Sequence, residues 1–177
     1  MRSSVQAVEI PASLLCGKHL HSSGMNPVRP MRVVFAVLGL LLALPAAFGG
    51  ENLRLNPKLD YTSDSHDGPL ITGDRMDEGA VAGKPNYVII YGERCYNSKR
   101  QARRTVSLYE KYKGRVHFVI IDLDLKHSRE QQKLIDRFYE GYIPHVVVLD
   151  AQGKAVYDFP AEIEEDEIAK VFDRLLK

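Results

Sequence analysis

Three short runs of continuous apolar residues mark the second half of the chain: Tyr87 to Tyr91 (YVIIY), Val116 to Leu123 (VHFVIIDL) and His145 to Leu149 (HVVVL). Runs of this length, rich in β-branched residues and without polar alternation, fit strands buried on both faces. Between the first two, Ser98 to Tyr112 places Ala102, Val106, Leu108 and Tyr109 at helical spacing among charges, and Gly114 ends the pattern. Ser128 opens a second helical pattern, with Glu130 and Gln131 in its first turn and Leu134, Ile135 and Phe138 on one face, stopped by Gly141. After the third run, Asp150 to Lys154 (DAQGK) is a tight-turn signal and Ala155 to Phe159 returns as a hairpin strand. Glu164 to Leu176 is a last amphipathic helix, with Ile168, Val171, Phe172, Leu175 and Leu176 inward. The order strand, helix, strand, helix, strand, strand, helix predicts an α/β fold, a parallel β-α-β unit and an antiparallel hairpin in one mixed central sheet flanked by helices. Helix bundles and β-sandwiches are excluded.

The first half reads differently. Val33 to Ala47 (VVFAVLGLLLALPAA) is apolar and uncharged for 15 residues, preceded by Arg29 and Arg32 and followed by Ala47-Phe48-Gly49. The run is shorter than the roughly 18 residues of a spanning helix. A basic flank, a short apolar run and small residues at the cleavage positions predict a signal peptide over 31–49 and an exported, periplasmic or secreted, protein. The alternative is a membrane anchor left uncleaved; with cleavage, no integral membrane segment is expected. Residues 1–30 are polar and patternless, and read as an upstream extension or as a start assigned too early, with Met25 or Met31 as the true one. Residues 50–83, rich in Asp, Gly, Pro and Ser, read as a linker and N-terminal part of the domain, with one short strand near Leu70-Ile71 and one helical turn from Met76 to Val81. The folded domain is expected over 84–177.

Composition narrows the chemistry. Apolar residues make up 45% of the 177, enough for an ordinary core. A net charge of +1 argues against a nucleic-acid binder. Of the two cysteines, Cys16 falls in the upstream stretch, which leaves Cys95 without an internal disulfide partner and without the companions a cysteine zinc site needs. His66, His117 and His127 have no metal-ligand spacing, and no metal is expected.

The segment Tyr91-Gly92-Glu93-Arg94-Cys95-Tyr96-Asn97-Ser98-Lys99 resembles the active-site segment of the thioredoxin superfamily, aromatic-x-acid-Trp-Cys-x-x-Cys-Lys. Lys84-Pro85 before the first strand is similar to that family's entry into its central strand, and Ile121-Asp122-Leu123-Asp124 to the end of its second. Gly141-Tyr142-Ile143-Pro144-His145 with the following VVVLD and Gly153 resembles its Gly-x-Ile-cisPro-Thr loop and hairpin. The pieces stand in the family's order over about 94 residues. Four positions depart from the pattern: Arg94 replaces Trp, Ser98 replaces the second cysteine, His145 replaces Thr, and Ile89 stands where the family has a buried acid six residues before the first cysteine.

The resemblance implies a thioredoxin-like fold with a monothiol Cys-x-x-Ser site. Cys95 and Ser98 are the expected catalytic pair, with Arg94, Tyr96, Asn97, Ile143, Pro144 and His145 on the substrate-binding surface. A two-cysteine site releases its mixed disulfide by attack of the second thiolate, a step a serine cannot perform. What remains is mixed-disulfide chemistry finished by an outside thiol, isomerase-like or deglutathionylating. No cofactor is expected, with glutathione or another small thiol as co-substrate. Partners would be cysteine-containing proteins or peptides, and the protein a monomer or a homodimer through Cys95. A helix N-terminus and the basic residues Arg94, Lys99, Arg100, Arg103 and Arg104 favour a thiolate. The competing expectations are a solvated basic helix face and, for the domain, a non-catalytic module that binds a protein or peptide on the same surface. His145 is expected either as a proton carrier near Cys95 or as a hydrogen-bonded, partly buried side chain.

Overall fold

A computed structural model describes residues 50–65 and 68–177; the expected signal peptide and upstream extension lie outside the described residues. The first two strands, β1 (Glu51–Leu55) and β2 (Ile71–Asp74), form an antiparallel hairpin of their own. The chain then runs β3 (Asn86–Tyr91), α1 (Tyr96–Tyr112), β4 (His117–Asp122), α2 (Arg129–Phe138), β5 (His145–Leu149), β6 (Ala155–Phe159) and α3 (Glu165–Leu175). The main sheet has the order β4-β3-β5-β6. β3 pairs parallel with β4 and antiparallel with β5, and β6 returns antiparallel on β5. This is the mixed sheet that the run pattern predicts.

Continuous apolar runs are needed because both sheet faces are covered. On one face Tyr87, Ile89, Tyr91, Phe118, Ile120, Val146 and Val148 meet Ala102 and Leu108 of α1 and Ile168 and Phe172 of α3. On the other, Val88, Ile90, Val119, Ile121, Val147 and Leu149 meet Leu134 and Phe138 of α2. Strand residues alternate between these two cores with the period of the pleat. Ser128 caps α2 through a capping box: its hydroxyl accepts from Gln131 N at 3.1 Å, and Gln131 Oε1 accepts from Ser128 N at 3.2 Å.

The expected linker is in part a packed element. Leu53, Leu70 and Ile71 are buried in the α1-side core, and Tyr109 Oη accepts from Asn52 N at 2.8 Å. The strands are short and carry a bulge at Asn52, which adopts φ 54°. β2 falls where a short strand near Leu70-Ile71 is expected, whereas the alternation in β1 rests on Leu53 and Leu55 alone. The helical turn expected over Met76 to Val81 is a plain turn at Met76 and Asp77, with Glu78 N bonded to Arg75 O at 3.3 Å.

Candidate functional site

Cys95 stands where β3 passes into α1, as the N-cap of the helix, one residue ahead of its first turn. Its side chain caps nothing. The thiol is partly exposed, with Sγ 3.8 Å from the carbonyl oxygen of Ile143. The Ile143–Pro144 peptide bond is cis, and Pro144 is buried at the start of β5. The two turns come together closely at Gly92, where a Cβ would stand 2.8 Å from Ile143 Cδ1, so a larger residue would displace the Ile143 side chain. A shallow cavity of about 360 Å³ opens beside the thiol, lined by Gly92, Arg94, Cys95, Leu123, Asp124 and Ile143.

Of the eight expected site residues, Arg94, Cys95 and Ile143 line this cavity. Ser98 is fully buried one turn into α1, and its hydroxyl has no hydrogen-bond partner among the described residues. Tyr96 is exposed, with the Arg100 guanidinium 5.0 Å from its ring centroid, and Asn97 Oδ1 accepts from Arg100 at 3.0 Å. His145 is buried and its Nε2 meets Asp158 Oδ1 at 2.6 Å across the β5–β6 hairpin. One ring nitrogen of this buried histidine thus finds a carboxylate on the neighbouring strand.

The basic residues of α1 are neither a free solvated face nor a collar around Cys95. Lys99 is 1% exposed and points into the segment over residues 60–65. Arg100 pairs with Glu162 at 2.5 Å, and Arg104 with Glu164 at 2.5 Å and Glu162 at 3.5 Å. Arg103 donates to the Tyr61 carbonyl at 2.5 Å. Helical spacing turns most of these side chains toward the loop before α3 or toward the N-terminal segment, which the sequence does not reveal.

Acidic groups are closer to the thiol than the sequence implies. Asp124 shares the Cys95 cavity and its Oδ2 accepts from Glu93 N at 2.8 Å. Asp122, at the end of β4 opposite Tyr91, accepts from Asp124 N at 3.1 Å. Burial pushes the Asp122 carboxyl up to about 7; the Asp124 backbone N–H works against this and the nearby Glu93 charge adds to it. The Asp122-Leu123-Asp124 run was visible in the sequence as a strand end, but its proximity to Cys95 depends on β4 lying parallel beside β3.

With this strand order, helices on both faces and a cysteine at the head of α1, the chain has a thioredoxin-like fold. It is 29% identical over 112 residues to the thioredoxin-like protein HCF164, chloroplastic, of Oryza sativa subsp. japonica, a match that takes in 63% of this chain and 42% of the length of that relative. No family model matches the chain. Similar solved structures include an uncharacterised thioredoxin-like protein from Clostridium perfringens (16% identity, 54% of this chain and 74% of that one, TM-score 0.46). The thioredoxin Deadhead of Drosophila melanogaster is another (22% identity, 52% and 82% covered, TM-score 0.43). Among the described residues no cluster of His, Cys, Asp and Glu could hold a metal ion, and no helix is long and apolar enough to cross a membrane.

Proposed function

We propose that the protein is an exported monothiol thiol–disulfide exchange protein acting through Cys95. The observation that carries this reading is a partly exposed thiol at the head of α1, seated against the Ile143 carbonyl, with a buried serine one turn on. The thiolate attacks one sulfur of a substrate disulfide. A Cys95–substrate disulfide forms, and the other sulfur leaves as a thiolate. Ser98 carries no thiol to displace the substrate, so a small external thiol attacks the mixed disulfide. It leaves joined to the substrate fragment and restores Cys95 as thiolate.

Exposed Tyr96, Tyr142 and Leu125, each next in the chain to a residue lining the cavity, offer apolar contact to a cysteine-bearing peptide or protein. The Ile143 carbonyl is an acceptor that such a peptide's backbone can use. Cys95 as the junction of a covalent homodimer is a special case of the same reaction. Export rests on the Arg-flanked apolar run before Gly50. The test is intact mass after exposure to oxidised glutathione: one glutathione adduct, mapped to Cys95 and removed by reduced glutathione, supports exchange. A native protein that takes up no adduct favours the non-catalytic binding module.

A further inference from the structure

Lys99 leaves α1 toward residues 60–65. Its ammonium donates to the carbonyls of Asp60 at 2.7 Å and Ser65 at 2.8 Å and to the Ser65 hydroxyl at 3.1 Å. Arg103 adds its bond to the Tyr61 carbonyl, and its guanidinium lies 5.8 Å from the Tyr61 ring centroid. Within the segment, the Asp60 carboxylate accepts from the hydroxyls of Thr62 at 2.5 Å and Ser63 at 2.8 Å, bonds that hold its pKa down to about 2. Residues 60–65 are thus fastened along α1 by a buried lysine and an arginine.

The segment delivers a carboxylate to the head of the helix. Asp64 Oδ1 accepts from the backbone N–H of Tyr96 at 2.7 Å. Tyr96 is the first residue of α1 and follows Cys95 directly. The helix terminus that would favour a Cys95 thiolate is therefore occupied by a negative charge from 32 residues upstream.

We propose that Asp64 is a positioning residue that restrains the Cys95 nucleophile, its carboxylate competing with the thiolate for the positive end of α1 and held there by Lys99. The inference rests on the reading of Cys95 as the exchanging thiol. The other charged groups about Cys95 are Glu93 and Arg94 from the β3–α1 turn and Asp124 from the turn after β4. From α1, Lys99 and Arg100 are drawn to the 60–65 segment and to Glu162. The Ile143–Pro144 turn brings no charge, and His145 beyond it faces Asp158. A second negative charge near a thiol disfavours its ionised form. Asp64→Asn separates this from capping, because the amide oxygen still accepts from Tyr96 N while the charge is gone.

The experiment is iodoacetamide alkylation of Cys95 in the folded full-length protein across pH, at low salt and at about 1 M salt, where surface charges are screened. Asp64→Asn is expected to raise the rate about threefold near pH 6 at low salt. The gap should narrow at high salt. Lys99→Met, which frees the segment, should raise the rate similarly, and the double variant should add nothing to either single change. A profile for Asp64→Asn that superimposes on the parent, or a gap that salt leaves untouched, overturns the proposal. A parent protein whose folded Cys95 resists alkylation at every pH overturns the exchange reading beneath it.

Discussion

Cys95 and Ile143, 48 residues apart in sequence, meet with Sγ 3.8 Å from the carbonyl oxygen, so the thiol and the turn before β5 form one surface. The β3–β5 pairing places the start of β5 beside the end of β3, with Ile90 opposite His145. Substitutions on either side of this contact should therefore alter exchange, and those behind it should alter stability.

Ser98 is the third residue of α1 after the N-cap Cys95. One helical turn separates their Cα atoms by about 5 to 6 Å, within disulfide reach. Ser98→Cys should form an internal disulfide on mild oxidation and reduce insulin disulfides when supplied with dithiothreitol, where the parent shows almost no activity. The measurement is insulin turbidity together with a thiol count. A variant that keeps two free thiols after oxidation would show that the two positions do not face each other.

Asp122 makes stability depend on pH. Its folded carboxyl titrates near 7 rather than at 3.8, because burial disfavours the charge. The folded state then holds a proton between about pH 4 and 7 that the unfolded state has lost, so stability rises as pH falls through this window. The thermal midpoint should climb as pH is lowered from about 8 to 5. Asp122→Asn should flatten that rise and stabilise the protein above pH 7. The check is Tm against pH for both proteins.

The hairpin ahead of residue 84 belongs to the fold. Leu53 is 2% exposed and packs in the α1-side core with Leu70 and Ile71. Leu53→Ala should cost about 2 to 4 kcal/mol in urea unfolding. A chain started at Lys84 would bare the same core surface and should be less stable still. A change within about 0.5 kcal/mol of the parent would return this segment to linker status.

The main sheet was readable because strands covered on both faces leave uninterrupted apolar runs, and because Ser128 with Gln131, Gly114 and Gly141 mark helix ends. β2 was visible only through the Leu70-Ile71 pair, since Thr72, Gly73 and Asp74 add no apolar position, and β1 was missed because its alternation is confined to Leu53 and Leu55. At the site, the approach of Ile143 to Cys95 was legible through resemblance to a known motif. The destinations of Lys99 and Arg100 were not, because a positive side chain in a helix pattern does not disclose which loop folds over it. Asp64 had no signal at all: its role depends on Lys99 drawing residues 60–65 to the head of α1.

The central claim is that Cys95 exchanges disulfides by a single-thiol route, and the most direct measurement is turnover of a glutathionylated peptide. The thiolate of Cys95 takes the glutathione and frees the peptide thiol; reduced glutathione then removes it as glutathione disulfide. The account predicts catalysed release of the peptide only with reduced glutathione present, a Cys95–glutathione adduct by intact mass when it is withheld, and loss of both in Cys95→Ser. A parent protein no faster than Cys95→Ser, with Cys95 unmodified throughout, would contradict it.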